Sequence, residues 1–166
     1  MKRLVLMRHA KSEWATGVAD HDRPLNPRGR RSAAALGHWL RDAGIAPDGA
    51  LCSTALRTRE TLDRLDLGVS ARFDPRLYHA EPQAILTCLR AAQGETVILL
   101  GHNPGIAAFA QEILAEAPRH PRFDDYPTGA TLIAEFPIED WAALAPGTGR
   151  AAAFVIPREL AQTGPA

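Results

Sequence analysis

The most constraining feature of the chain is a short run, TVILL at residues 96–100, that is apolar on four successive positions. A strand of this kind is covered on both faces, which is the environment of a parallel sheet clothed by helices. Other strand-like stretches fall at 2–7, 49–52, 71–73, 130–136 and 151–156. Helical patterns alternate with them. Asn26 followed by Pro27 places a capping side chain before a proline in the first helical position. Leu36, Leu40 and Ala43 then share a face, and Gly44 sits where a helix commonly stops. Asn103–Pro104 repeats the start signal ahead of Ile106, Phe109, Ala110, Ile113 and Leu114, an amphipathic spacing. Further helices are predicted over 54–65 and 82–92.

Alternation of this kind predicts an α/β three-layer sandwich, with a mostly parallel central sheet and helices on both faces. The last two strands, joined by a loop carrying Trp141, Pro146 and Gly147, are expected to add an antiparallel edge. The 166 residues make one domain, 1–166. The proline-rich stretch 118–129 reads as a solvated connection rather than a lid.

Charge excludes several partners. Nineteen Lys and Arg balance nineteen Asp and Glu, so no overall field draws the chain to nucleic acid or to a membrane surface. Any anion site must come from local placement of cations. Cys52 and Cys88 are too few and too far apart for a disulfide scaffold and read as reduced, buried thiols. The apolar stretch from Leu4 to Met7 is shorter than the roughly 7–15 residues of a signal peptide's core. No run approaches the about 18 apolar residues of a membrane span. The chain therefore reads as cytoplasmic.

In open α/β sheets ligands bind beyond the carboxyl ends of the strands. Arg8 and His9 follow the first strand. Ser53, Thr54 and then Arg57 follow the second. Gly101, His102 and Asn103 follow the 96–100 run. Two arginines and two histidines thus converge on one sheet edge from three parts of the chain. Arginine forks match phosphate oxygens, and helix starts at 53–54 and 103–104 are expected to aim N–H groups at the same place. One imidazole suits a phosphoryl nucleophile, and the second, with the arginines, suits stabilisation of transition-state charge. His38 and His120 read as structural or exposed, while His21 and His79 stay undecided. No HExxH, HxH or cysteine cluster points to a metal, and no GxxxxGK[ST] loop is present.

These residues resemble the histidine phosphatase superfamily, with its phosphoglycerate-mutase-like fold. Its Arg-His-Gly signature is present as Arg8-His9-Ala10, CSTALRTRET at 52–61 resembles the motif carrying the second arginine as Arg57, and GHNPG at 101–105 supplies the second histidine as His102. Size, DHDRPLNPRG at 20–29, PTGA at 127–130 and FVIPREL near the end are similar to the SixA-type phosphohistidine phosphatases. The resemblance implies a phosphatase without metal or cofactor, in which His9 attacks phosphorus and becomes a phosphohistidine. Arg8, Arg57 and His102 would bind the phosphoryl oxygens, with Arg23 as a further arginine near the pocket.

Departures matter as well. Ala10 replaces glycine, and Ala15 stands where sugar-phosphate mutases carry Asn. An acidic proton donor has no obvious equivalent; Asp20, Asp22, Glu13 and Glu81 are the candidates. A phosphoramidate needs less acid help than an alkoxide, which favours phosphohistidine on a protein. The alternatives are small phosphomonoesters or nucleotide-derived phosphates, and an inactive phosphoprotein-binding module. The expected partner is a phosphorylated protein or small phosphate ester. The sequence leaves the oligomeric state open.

Overall fold

The computed structural model describes residues 1–14 and 17–161. Ala15 lies outside the described residues. Six strands, β1 (Lys2–Arg8), β2 (Gly49–Ser53), β3 (Ala71–Asp74), β4 (Thr96–Gly101), β5 (Thr131–Phe136) and β6 (Arg150–Val155), form one sheet in the order β3-β2-β4-β1-β5-β6. The first four run parallel, and β5 is antiparallel to both β1 and β6. Among the described residues five α-helices cover it: α1 (Pro27–Asp42), α2 (Leu56–Leu65), α3 (Pro82–Arg90), α4 (Gly105–Ile113) and α5 (Pro157–Ala161).

The apolar runs face both ways, as the sequence requires. Val5, Met7, Ile98 and Leu100 pack with Leu36 and Leu40 of α1, Leu62 and Leu65 of α2, and Leu160 of α5. Leu4, Leu6, Val97 and Leu99 pack on the opposite face with Ile85 and Leu89 of α3, and Ile106 and Phe109 of α4. Each such side chain contributes about 1.5–3 kcal/mol on burial, which makes β1 and β4 the centre of the fold. The expected three-layer architecture, a mostly parallel sheet with helices on both faces, is thus the observed one. Among the described residues no helix is long and apolar enough to cross a membrane. Cys52 and Cys88 are free and buried, and burial pushes the Cys52 thiol up to about 12.

α1 starts as its sequence dictates, with the Asn26 side chain accepting from Gly29 N–H at 2.8 Å. Two expectations need correction. α4 begins at Gly105, two residues later than Asn103, and ends before Leu114, whose extended backbone bridges to Gly149 instead. The last two strands do add the expected antiparallel edge, β5 pairing with β1 and β6 closing that side of the sheet opposite β3.

Residues 118–129, expected to be a solvated connection, are anchored in the core. Phe123 and Tyr126 are buried, and the Tyr126 hydroxyl donates to Leu6 O while accepting from Leu132 N–H. That hydroxyl ties the segment to β1 and β5, the strands on either side of the sheet's change of direction. Tyr126→Phe leaves buried backbone groups short of a partner. Urea denaturation is expected to show a loss of about 1–3 kcal/mol; a loss within a few tenths would mean the segment is held by packing alone.

Candidate active site

Strand register creates the site. In the β1–β4 pairing Arg8 lies opposite Gly101, so His9 and His102 leave the sheet level with one another. Cys52 pairs with Leu100, which brings Ser53 alongside. β5 runs the other way, so the segment entering it delivers Thr128 to the same edge. The result is a cavity of about 260 Å³ lined by Arg8, His9, Arg23, Arg57, His102 and Thr128, among others. All five residues singled out from the sequence are here.

The two imidazoles lie 5.2 Å apart between ring centroids and are almost wholly buried. His9 Nδ1 lies 2.7 Å from Ala10 O. A carbonyl only accepts, so Nδ1 carries the hydrogen and Nε2 keeps its lone pair. Burial, reinforced by Arg8, Arg57 and Arg23, pushes His9 down to about 3. Burial also lowers His102, to about 2, with His9 and Arg57 adding to the effect. His102 Nε2 is 2.8 Å from Ser53 Oγ. Ser53 Oγ also accepts from Ala55 N–H, and its own hydrogen can be given to Nε2; in that tautomer His102 carries its hydrogen on Nδ1.

Arginine placement is equally specific. Arg8 donates to Tyr126 O at 3.2 Å. Arg57 holds the Asp20 carbonyl at 2.7 Å and its carboxylate at 3.1 Å. Arg23 reaches the other Asp20 oxygen at 3.1 Å and lies 3.7 Å over the Trp14 ring. Asp20 is held down to about 2, first by the Tyr78 hydroxyl and then by Arg57, so it is a carboxylate at neutral pH. Among the described residues, three buried side-chain polar atoms lack a hydrogen-bond partner: Arg8 Nε, Arg57 Nε and His102 Nδ1. All three belong to residues lining this one cavity.

Several expectations change at this level. At the α4 start two of the expected donors are already taken, Ile106 N–H by His102 O and Ala107 N–H by the Asn103 side chain. α2 begins at Leu56 rather than at 54. None of the four acidic candidates, Asp20, Asp22, Glu13 and Glu81, lines the cavity. Ala10 needs no glycine: its methyl packs with Leu25 and Ala33, and its N–H bonds Thr61 Oγ1 at 3.0 Å. His38 pairs with Asp42 and His120 with Glu159, both structural. His21 bonds Thr54 Oγ1 at 2.9 Å, whereas His79 lines the cavity. Ser12, Trp14, Asn103 of GHNPG and Thr128 of PTGA also line it, though none was singled out as a site residue. Among the described residues no group of three or more His, Cys, Asp or Glu is placed to hold a metal ion.

Two imidazoles and three guanidiniums at the strand ends of an α/β sheet make a site for a phosphoryl group. Comparison with known proteins agrees. A model of the histidine phosphatase superfamily (branch 1) matches residues 4–81. An uncharacterized protein of Mycobacterium tuberculosis is 36% identical over 159 residues, covering 92% of this chain and 100% of the relative. A structure from Nakamurella multipartitia, assigned as a phosphohistidine phosphatase SixA, is 34% identical with a TM-score of 0.84, covering 94% of this chain and 96% of that one. One from Agrobacterium tumefaciens with the same assignment is 25% identical at TM-score 0.75, covering 93% and 97%. The chain belongs to the histidine phosphatase superfamily. It is a phosphatase of the SixA type.

The buried imidazoles set an acid limit on stability. In the unfolded chain both titrate near 6.5, and in the folded protein only near 3 and 2. Between these values the unfolded state binds more protons, so stability is intact above pH 6.5 and falls as pH drops toward 3. Urea midpoints are expected to decline between pH 7 and 4, with His102→Gln flattening the decline. A profile unchanged by that substitution would contradict the burial of a neutral imidazole.

Proposed function

We propose that the protein removes the phosphoryl group from phosphohistidine on another protein, through a phosphohistidine formed on its own His9. The observation that carries this reading is the set of three unpartnered buried nitrogens, Arg8 Nε, Arg57 Nε and His102 Nδ1, on residues that line one cavity with His9. A buried donor without an acceptor is costly. A phosphoryl group offers three acceptor oxygens and an electrophilic centre for the free lone pair.

His9 Nε2 forms the bond to phosphorus in line with the leaving nitrogen. Arg8, Arg57 and His102 Nδ1–H take the equatorial oxygens, where charge builds in the transition state. Arg23, held by Asp20 beside Arg57, adds a third guanidinium at the mouth. Water then attacks the phosphohistidine and inorganic phosphate leaves. No step calls for a metal. The lack of a carboxylate among the described lining residues favours a nitrogen leaving group, because an imidazole protonated beforehand departs neutral whereas an alkoxide needs a proton delivered as it leaves. The names of the SixA relatives point the same way.

Protein quenched during turnover is expected to carry acid-labile, base-stable phosphate on His9. His9→Ala abolishes turnover while leaving the melting temperature close to wild type. Arg57→Ala lowers kcat by order 10²-fold, the usual loss of a donor to developing charge, and EDTA leaves the rate unchanged. Turnover of a phosphorylated histidine-containing protein, set against small phosphomonoesters, tests the substrate class; a clear preference for the esters rejects it.

A further inference from the structure

We propose that the groove between α1 and α5 docks an acidic amphipathic helix of the phosphoprotein, a reading that rests on the protein-substrate proposal above. The groove encloses about 970 Å³, and its apolar floor includes Trp39, Ile156 and Pro157. Four cations, Lys11, Arg28, Arg31 and Arg158, stand exposed along it. None of the four makes an ion pair or side-chain hydrogen bond with the described residues. The remaining charges on the groove are already matched, Arg122 by Asp125 and Asp42 by His38. In a chain of zero net charge this is a local excess of four.

The groove also leads to the chemistry, since Lys11 and Thr128 line both it and the reaction cavity. A small anion has no use for the apolar floor, and a nucleic-acid backbone has little. A helix with one apolar face and flanking carboxylates uses floor and rim together. Its neighbouring residue would then reach His9.

The test compares two substrates, a phosphorylated histidine phosphotransfer domain and free phosphohistidine. With Arg28→Glu, Arg31→Glu and Arg158→Glu combined, kcat/KM on the domain is expected to fall by about tenfold or more through KM, with its salt dependence lost. The value on free phosphohistidine should stay within about twofold. Equal effects on both substrates, or none, overturn the docking proposal. So does competition by a single-stranded oligonucleotide in place of an acidic helical peptide. Wild-type protein that hydrolyses only free phosphohistidine overturns the protein-substrate reading itself, before any substitution is made.

A different observation concerns the proton. We infer that His79 is the general acid of the phosphorylation step. The reaction cavity has no carboxylate among its described lining residues. His9 and His102 are committed to phosphorus and its oxygens, which leaves His79 as the remaining imidazole on the cavity wall. Its ring packs at 3.9 Å on Tyr78 and lies 6.4 Å from His102. Its Nε2 is 3.9 Å from the Asp20 carboxylate, and the Arg57 guanidinium lies 6.0 Å from the Tyr78 ring against which His79 packs. The backbone fixes this placement. His79 has a φ of +56°, and a side chain at Gly105 would collide with Ala80 O, so the 79–80 turn seats against the start of α4.

As His9 Nε2 bonds phosphorus and the bond to the leaving group breaks, the His79 proton passes to the departing nitrogen or oxygen. Neutral His79 then takes a proton from the water that attacks the phosphohistidine, and both imidazoles return to their starting state. Aryl phosphates test this without any protein substrate. In His79→Gln, phenyl phosphate turnover is expected to fall by order 10²-fold, and p-nitrophenyl phosphate turnover by less than about threefold. Equal losses for the two esters indicate a structural role and overturn the assignment, as does full activity on both.

Discussion

The parallel pairing of β1 with β4 is the constraint on which everything else depends. Arg8 opposite Gly101 places the two histidines that follow at the same height above the sheet. A slip of one residue would turn Leu4, Val5, Leu6 and Met7 to the wrong faces and separate His9 from His102 in the same movement. Core packing and active-site geometry are therefore fixed by one register. The antiparallel β5 completes the arrangement by bringing residues 118–129 back to the same edge, where the Tyr126 hydroxyl locks them to β1.

Electrostatics at this edge are arranged for an anion. His9 and His102 are buried among Arg8, Arg23 and Arg57, so each imidazole stays neutral and the cavity's positive charge rests on guanidiniums that cannot lose it. The Ala10 carbonyl fixes which nitrogen of the His9 ring carries hydrogen, and the Ser53 hydroxyl holds the His102 ring through Nε2. Asp20 spans Arg23 and Arg57 and keeps both heads at the mouth. Under the proposed mechanism the nucleophile, donors and their supports stand in place before any ligand arrives, so little reorganisation is left to the reaction.

Much of this was legible in the sequence because the decisive signals are local. Continuous apolar runs named the buried strands, Asn26-Pro27 named the start of α1, and the residues just past three strands named Arg8, His9, Arg57 and His102. What escaped depends on contacts distant in the chain. Residues 118–129 look solvated because their polar and proline content hides two core aromatics, Phe123 and Tyr126, each buried by partners elsewhere. Asn103-Pro104 looks like a helix start, yet the Asn103 side chain also donates to Asp125 O and Tyr126 O, and the helix begins after the proline. His79 carries no motif; only its turn against Gly105 brings it to the cavity. The acidic candidates were sought by residue type, and the fold leaves all four off the cavity wall.

A structure with bound vanadate tests the account most directly. Vanadium is expected within bonding distance of His9 Nε2, opposite an open apical position, with Arg8, Arg57 and His102 Nδ1 on its equatorial oxygens. Vanadate seated on His9 Nδ1, or held away from these three donors, would contradict it.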